Sequence, residues 1–406
     1  MKFISTLLCT LLLSLSAADA CTTAIVSGNF TPDGRPLLLK HRDTSFDQNA
    51  LMYFNDGKYS YIGLINAEDP EGKEVWAGFN SAGFAIMNSE SYNLNISDTT
   101  RLRDMEGVLM KKALQSCATV EEFETFLKNY SKPRGVRANF GVIDAHGGAA
   151  YFETGNFTVA KIDVNDKAVA PFGYVIRTNF SATGAVDEGY GYIRYQTADM
   201  LFSRAAATGN LTYRFMLEDV SRSLYHSLTK VDLYNDIPPE SKPHFVYFED
   251  FIPRFSSVAT AVIQGVKSGE PAGLTTMWTI PGFQLCTVAV PVWLTTDGDL
   301  PELVRRGNAG IAPLCDMALR LKKKCFPVTR GSGRRYMDLT VLLNRDGSGI
   351  LQKILPVESK VLDKGENILD KWRQSGFSEK EALGFYDWFD ETVKQAYREY
   401  FGFSVK

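Results

Sequence analysis

Short runs of apolar and β-branched residues, separated by turn residues, recur from residue 21 to about residue 293 and predict a strand-rich protein. The first two runs, 21–26 and 36–40, flank the turn sequence Asn-Phe-Thr-Pro-Asp-Gly and predict a hairpin. Further strands are predicted where the pattern returns, at 51–53, 59–65, 74–79, 84–88, 138–143, 149–153, 157–162, 168–172, 175–179, 256–265, 274–278 and 286–293.

Apolar residues spaced three and four apart predict amphipathic helices at 103–114 and 120–130. Thr119, with Glu122 three positions later, has the spacing of a capping box at the second helix. Helical patterns return at 193–225, 301–320, 368–374 and 378–400. Because strand signals continue to about residue 293 without a change in composition, we expect one domain over residues 21–300. Residues 301–406 would form a helical extension packed on it.

Residues 1–20 have the pattern of a secretory signal peptide. Lys2 precedes an apolar stretch that reaches Leu15, and Ala18-Asp19-Ala20 has the small residues of a cleavage site. The apolar stretch is shorter than the roughly 20 residues that a spanning helix needs. We therefore expect a secreted or periplasmic protein whose mature chain begins at Cys21.

An N-terminal cysteine carries a thiol and a free α-amine on one residue. The amine has a pKa of about 7.7–8.0, suited to accepting a thiol proton near neutral pH, and the thiolate is the attacking form. Two other fates stay open for Cys21: the lipid anchor of a surface binding protein, or a buried or disulfide-bonded cysteine. The residues before Cys21 lack the leucine and small-residue pattern of a lipoprotein signal, which makes the lipid anchor the weaker alternative.

The composition mainly excludes classes of function. Hydrophobic residues at 45% and charged residues at 22% are typical of a globular protein, and a net charge of -3 gives no reason to expect nucleic acid as a partner. The sequence has no second long apolar run, so we expect no stable insertion into a membrane. The histidines show no metal-ligand spacing. Five cysteines remain after the leader: Cys21, Cys117, Cys286, Cys315 and Cys325. Because five is odd, at least one of them has no disulfide partner within the chain. The sequence leaves open whether the neighbouring Cys315 and Cys325 pair.

Four short motifs occur in one order along the chain. They are Cys-Thr-Thr beginning at Cys21, Lys-His-Arg-Asp ending at Asp43, a glycine-containing strand ending at Asn88, and Val-Ile-Arg-Thr-Asn ending at Asn179. Together they resemble the cysteine N-terminal-nucleophile hydrolases. The resemblance is to the branch of choloylglycine hydrolases, penicillin V acylases, acid-ceramidase-type amidases and the C45-like acyl-coenzyme A:6-aminopenicillanate acyltransferases, and it covers about residues 21–295.

The resemblance implies an α+β fold, a four-layer αββα sandwich of two antiparallel sheets. It also implies hydrolysis of a linear amide C–N bond through an acyl-enzyme, with a small N-acyl amide or peptide-like substrate, no cofactor and no metal. A homo-oligomer is left open. The implied site residues are Cys21 as nucleophile, Asp43 to orient the amine, Lys40 or Arg42 to favour the thiolate, Asn88 and Asn179 to stabilise the oxyanion, and Arg254 to bind substrate.

Two departures from the family pattern concern its basic residues. The family usually has arginine where this chain has Lys40, and Arg42 next to it is the alternative. No arginine follows the Phe-Ser-Ser-Val segment, and Arg254 precedes it instead. Asn179 also begins a glycosylation sequon, and a glycan there is incompatible with catalysis. An N-acyltransferase and an N-terminal-cysteine dipeptidase share the first motifs and remain alternatives.

Overall fold

A computed structural model describes residues 20–404 of the protein. The predicted signal peptide lies outside the described residues except for Ala20. The strands are β1 (Thr22–Val26), β2 (Leu37–Asp43), β3 (Asn49–Phe54), β4 (Tyr61–Asn66), β5 (Ala77–Asn80), β6 (Ala85–Glu90), β7 (Ala138–Ile143), β8 (Ala149–Thr154), β9 (Val159–Asp163), β10 (Tyr174–Arg177), β11 (Tyr225–His226), β12 (Val231–Asp232), β13 (Phe245–Tyr247), β14 (Ser257–Gln264), β15 (Thr276–Pro281), β16 (Val290–Val292) and β17 (Tyr336–Asp338). The helices are α1 (Glu106–Ser116), α2 (Val120–Asn129), α3 (Tyr192–Ala207), α4 (Tyr213–Phe215), α5 (Pro313–Cys325), α6 (Leu339–Leu342), α7 (Ile350–Ser375) and α8 (Glu379–Phe401).

Most strands belong to two antiparallel sheets. One has six strands in the order β10-β1-β2-β14-β15-β16, and the other has seven in the sequential order β3 to β9. The sheets pack face to face, and the Tyr151 hydroxyl of one donates to Thr23 Oγ1 of the other at 3.0 Å. A side chain at Gly141 would collide with Met87 and Ile25, so glycine permits this close approach.

Helices cover the outer face of each sheet. On the seven-stranded sheet, Phe123 of α2 packs its ring against Phe84, Phe140 and Phe152. On the other side, Trp293, just beyond β16, contacts Trp372 of α7 with ring centroids 4.9 Å apart. The fold is therefore the α+β, four-layer αββα sandwich with C-terminal helices that the resemblance implied. Within residues 20–404, no helix has the combined length and hydropathy of a membrane span.

Several local predictions differ from the structure. The strand predicted at 168–172 is a turn, because Asp166 accepts a hydrogen bond from Ala168 N at 2.8 Å and the chain reverses before β10. Helix α7 extends far before the predicted 368–374 and contains both Pro356 and Gly365, residues that usually interrupt helices. Gly365 lies against the Trp278 ring, where a side chain would crowd the contact.

The cysteines are thiols throughout the described residues. Cys315 and Cys325 lie ten positions apart on one helix, α5, so the rise of about 1.5 Å per residue keeps their sulfurs from pairing. Cys325 instead faces Cys286, with 3.9 Å between the sulfur atoms.

A buried ion pair joins α7 to the body of the sandwich. Arg222 donates from both terminal nitrogens to Glu358, and its Nη2 also donates to the carbonyl of Thr287 at 3.0 Å. Glu358 further accepts from Ala289 N at 2.5 Å. Both charged groups are fully buried, so removing one leaves the other without compensation.

We predict that Glu358→Ala lowers the free energy of unfolding by about 3–5 kcal/mol, because Arg222 would remain buried and unpaired. Asp363→Ala on the same helix is the control, since Asp363 is exposed and pairs with Arg214 at the surface. It should cost no more than about 1 kcal/mol. Urea denaturation measures both. Equal, small losses would show that α7 is not a cooperative part of the fold.

Candidate active site

Cys21 lies immediately before β1, the strand that pairs with β10 on one side and β2 on the other, and it is buried. The β1–β2 register pairs Thr22 with His41. Continued by two residues, this register sets Cys21 beside Arg42 and Ala20 beside Asp43. Because side chains alternate along a strand, Cys21 shares with Thr23 the face that meets the seven-stranded sheet.

Lys40 and Asn88 meet between the two sheets. The buried Lys40 ammonium donates to the side-chain Oδ1 and to the backbone carbonyl of Asn88, both at 2.6 Å. A buried ammonium needs such oxygen partners to offset the loss of water. Since Oδ1 accepts from Lys40, the amide nitrogen of Asn88 is directed away from the lysine and keeps its donor character. The positive charge behind the amide also strengthens that donor.

Arg194, on α3, connects the beginning of β1 to Asn179. Its Nη1 donates to the carbonyl of Cys21 at 2.8 Å and to Thr22 Oγ1 at 2.9 Å, and its Nη2 donates to Asn179 Oδ1 at 2.7 Å. Burial lowers the pKa of Arg194 to about 9, with Arg254 contributing, so the guanidinium stays charged at neutral pH. Its planar fork suits three acceptors in a fixed arrangement.

Asn179 follows β10 and is wholly buried. Its Nδ2 donates to the carbonyl of Glu90 at 3.0 Å, while its Oδ1 accepts from Arg194. Both ends of the amide thus contact protein groups. Burial of Asn179 also excludes a glycan on its sequon in the folded protein.

Asp43 accepts from two residues on or just before β14. Arg254 Nη2 donates to Oδ2 at 2.8 Å, and Ser257 Oγ donates to Oδ1 at 2.5 Å. The same Arg254 nitrogen contacts the carbonyl of Ala20 at 3.2 Å. That carbonyl is bonded to the Cys21 nitrogen, so Arg254 links the Asp43 carboxylate to the peptide bond that signal-peptide cleavage would break.

Arg42 has a separate set of partners. Its guanidinium donates to Asn49 Oδ1 and, at 2.7 Å, to Asn66 Oδ1, and it lies 4.9 Å from the centroid of the Trp76 ring. The structure therefore joins Lys40 to Asn88 and directs Arg42 towards the β3–β4 region.

His41 completes a chain of buried hydrogen bonds beneath Asp43. Its Nε2 lies 3.0 Å from Ser257 Oγ and its Nδ1 lies 3.2 Å from Thr260 Oγ1. The Ser257 hydroxyl already donates its proton to Asp43, so His41 Nε2 carries the proton and donates to Ser257. Burial lowers the pKa of His41 to about 4, although Asp43 opposes the shift.

Sequence reasoning missed Arg194, Ser257 and His41. The sequence could have indicated that Arg194 is buried, because it shares a helix face with the buried Thr197 and Ala198, three and four positions later. Ser257 lies in the Phe-Ser-Ser-Val segment, but nothing in that segment alone distinguishes its hydroxyl from that of Ser256. Across residues 20–404, no group of three or more metal-ligating side chains is assembled.

The two-sheet sandwich, with polar residues gathered at the start of β1, is the architecture of the N-terminal-nucleophile hydrolases, the class that includes the C45-like acyltransferases. The sequence model of the acyl-coenzyme A:6-aminopenicillanic acid acyl-transferase family matches residues 31–237, just over half of the chain, and the protein belongs to this family. The match includes Lys40, Asp43, Asn88, Asn179 and Arg194.

Solved structures similar to this one share little sequence with it. The N-acylethanolamine-hydrolyzing acid amidase ortholog of Caenorhabditis elegans is 14% identical, with a TM-score of 0.39 over 60% of this chain and 92% of that chain. Penicillin V acylase from Agrobacterium tumefaciens is 15% identical, with a TM-score of 0.38 over 68% of this chain and 87% of that chain. A variant of the conjugated bile acid hydrolase from Clostridium perfringens is 14% identical, with a TM-score of 0.38 over 69% and 95%. No curated protein matches the sequence.

We predict that His41 makes folding stability pH-dependent between about pH 4 and 6.5. An unfolded histidine binds a proton below pH 6.5, whereas buried His41 does so only below about pH 4. The unfolded state therefore binds more protons in this window, and stability should fall by about 3 kcal/mol as pH decreases through it. Urea denaturation at several pH values should show a shallower dependence for His41→Gln.

His146→Gln is the matched control, because His146 lies exposed in the turn between β7 and β8. It should keep the wild-type dependence. If His41→Gln also kept it, His41 would not be the neutral buried group described here.

Proposed function

We propose that the protein hydrolyses the linear C–N bond of N-acyl amides, with Cys21 as the nucleophile after removal of residues 1–20. The observation that carries this proposal is the position of Cys21 at the beginning of a central strand. Arg194 donates to the carbonyl of Cys21, and Arg254, which pairs with Asp43, donates to the carbonyl of the preceding Ala20. Lys40, which pairs with Asn88, lies opposite Thr23 two residues further along the strand. We also propose that the leader is a signal peptide and that the protein is secreted or periplasmic.

In the proposed reaction the Cys21 thiolate attacks the amide carbonyl and forms a C–S bond, with the thiol proton held by the α-amine. The tetrahedral intermediate collapses as the α-amine returns the proton to the leaving nitrogen and the C–N bond breaks. Water then attacks the thioester, releasing a carboxylic acid and the free thiol. The Asp43 carboxylate would accept a hydrogen bond from the α-amine and hold it in place, both while it carries the proton and after it has returned it.

Asn88 is the better-supported oxyanion donor of the two asparagines. Its Oδ1 is occupied by Lys40, which directs Nδ2 away from the lysine, whereas Asn179 Nδ2 donates to Glu90 O. Asn179 is proposed to act together with Arg194, which bonds both its amide oxygen and the Cys21 carbonyl. Of the two basic candidates, Lys40 is preferred because its partners lie at the site and those of Arg42 lie elsewhere.

Arg254 remains the candidate for substrate binding. In the uncleaved chain its Nη2 contacts the carbonyl of Ala20 as well as Asp43. Cleavage after Ala20 would vacate the carbonyl position, so a substrate carbonyl or carboxylate is proposed to take it. The guanidinium would then orient the substrate and hold Asp43 at the same time.

N-acyl transfer is the second candidate, favoured by the family match. It differs from hydrolysis only in the second step, where an amine rather than water attacks the thioester. Adding a primary amine acceptor during turnover separates the two. Formation of the new amide in preference to the free acid would identify a transferase.

We predict that protein secreted with its own leader begins at Cys21 and cleaves at least one member of a panel of N-acyl amides and dipeptides. Cleavage exposes the α-amine that the reaction needs, so N-terminal sequencing and intact mass come first. Cys21→Ala and Cys21→Ser should then lower kcat/KM by at least about 1,000-fold, since the nucleophile is removed or weakened.

Cys117→Ala is the matched thiol control, because Cys117 is buried behind the seven-stranded sheet, outside the site. It should keep nearly full activity. A lipid mass on Cys21 would support the surface-anchor alternative, and activity that survives Cys21→Ala would contradict the proposal.

We predict that Asn88→Ala lowers kcat by about 100- to 1,000-fold with little change in KM, because one oxyanion donor is lost. Asn129→Ala, at the exposed end of α2, should leave both constants unchanged. Steady-state kinetics on the best amide of the panel measures this. A loss in kcat below about fivefold would remove Asn88 from the oxyanion site.

A further inference from the structure

The C-terminal extension supplies a buried charge close to the site. Lys322, on α5, is buried, and its Nζ lies 3.4 Å from the carbonyl oxygen of Ser257. The rings of Phe255 and Phe283 lie 4.6 and 5.3 Å from the ammonium. Lysine is rarely buried without such partners, and here one carbonyl oxygen and two aromatic rings surround the ammonium. Helix α5 lies beyond the residues that match the family model.

The partner of Lys322 is the residue that holds Asp43. The pairing of β14 with β2 shifts register between Ser257 and Ala259, and such irregularities redirect side chains next to functional sites. At this shift the Ser257 hydroxyl donates to Asp43 and accepts from Arg254 N at 2.9 Å. A displacement of the Ser257 backbone would therefore move the hydrogen bond on Asp43 directly.

Helix α5 also supports the segment that follows Asp43. Cys315 Sγ accepts from Asn49 N at 3.3 Å, and Asn49 Oδ1 in turn accepts from Arg42. One helix thus contacts both the β14 residue that bonds Asp43 and the first residue of β3. One of these contacts supports the residue that bonds Asp43 at the end of β2, and the other supports the strand that follows.

We propose that Lys322 is a positioning residue that acts through Ser257 to hold the Asp43 carboxylate in place, so that the C-terminal extension completes the active site. This inference rests on the proposed function, in which Asp43 holds the Cys21 amine.

The charges around Lys322 are consistent with this role. Burial lowers the pKa of Lys322 to about 8, while nearby acidic groups and thiols oppose the shift. The lysine is therefore mostly protonated at neutral pH and loses its charge as the pH rises through about 8. The groups that face it from the surrounding elements are Asp43, Asp47, Cys286 and Cys315, and Arg334 lies over the Phe255 ring.

The test uses the mature protein and compares Lys322→Met with Lys323→Met, the exposed neighbour on the same helix. Lys322→Met should lower kcat about tenfold with KM within twofold, because misplacing a proton-transfer group slows the chemical step. The midpoint of the pH profile for Cys21 alkylation by iodoacetamide, followed by the mass of the N-terminal peptide, should move to higher pH. Lys323→Met should match the wild type, and Lys322→Arg should recover most of the loss.

A double-mutant cycle tests the route through Ser257. Once Ser257→Ala has removed the hydroxyl, adding Lys322→Met should cause little further loss. Multiplying effects would overturn the proposed route, and a folded Lys322→Met with wild-type kinetics and alkylation would overturn the role itself. Lys322→Gln, which keeps a donor without the charge, is measured in parallel so that an unfolded Met variant does not end the test.

Failure of the proposed function gives a different result. It appears as activity that does not depend on Cys21, whatever residue occupies position 322. Failure of the present inference appears as Cys21-dependent activity that Lys322→Met leaves unchanged.

Discussion

The antiparallel register between β1 and β2 is the constraint on which the site depends. It pairs Thr22 with His41 and so brings the residue before Cys21 next to Asp43. Both strands are buried along their whole length, and buried polar groups must find partners. Arg194 and Arg254 can be understood as partners for groups that this register buries at the start of β1.

The candidate site is assembled from both sheets and from distant parts of the chain. The six-stranded sheet supplies Cys21 and Asp43, and the seven-stranded sheet supplies Asn88, which Lys40 reaches across the interface. Helix α5, in the C-terminal part of the chain, reaches the same region through Lys322. Because each charged group has partners from a different element, the arrangement depends on the packing of the whole sandwich, and small shifts between layers should affect the site.

Most of the strands could be predicted from the sequence, because the apolar runs and the Asn-Phe-Thr-Pro-Asp-Gly turn are local signals. The sandwich that they build was implied by the family resemblance. The buried strand that carries Asn88 was also predicted, but β6 continues to Glu90, so Asn88 lies within the strand and not at its end. The sequence did not decide between Lys40 and Arg42, since the choice depends on which oxygens each side chain reaches in the folded protein. Arg194 and Lys322 were missed because their roles arise from contacts across more than 60 residues of sequence. Helix α7 was underestimated because packing against Trp278 accommodates a glycine that local propensity disfavours.

In the proposed mechanism Cys21 carries the acyl group during turnover. The most direct measurement is the mass of the N-terminal peptide after the mature enzyme is mixed with an amide substrate and quenched in acid. We expect an added acyl mass on Cys21 that hydroxylamine removes, as for a thioester. An acyl group on another residue, or turnover with no acylated Cys21 peptide at any quench time, would contradict it.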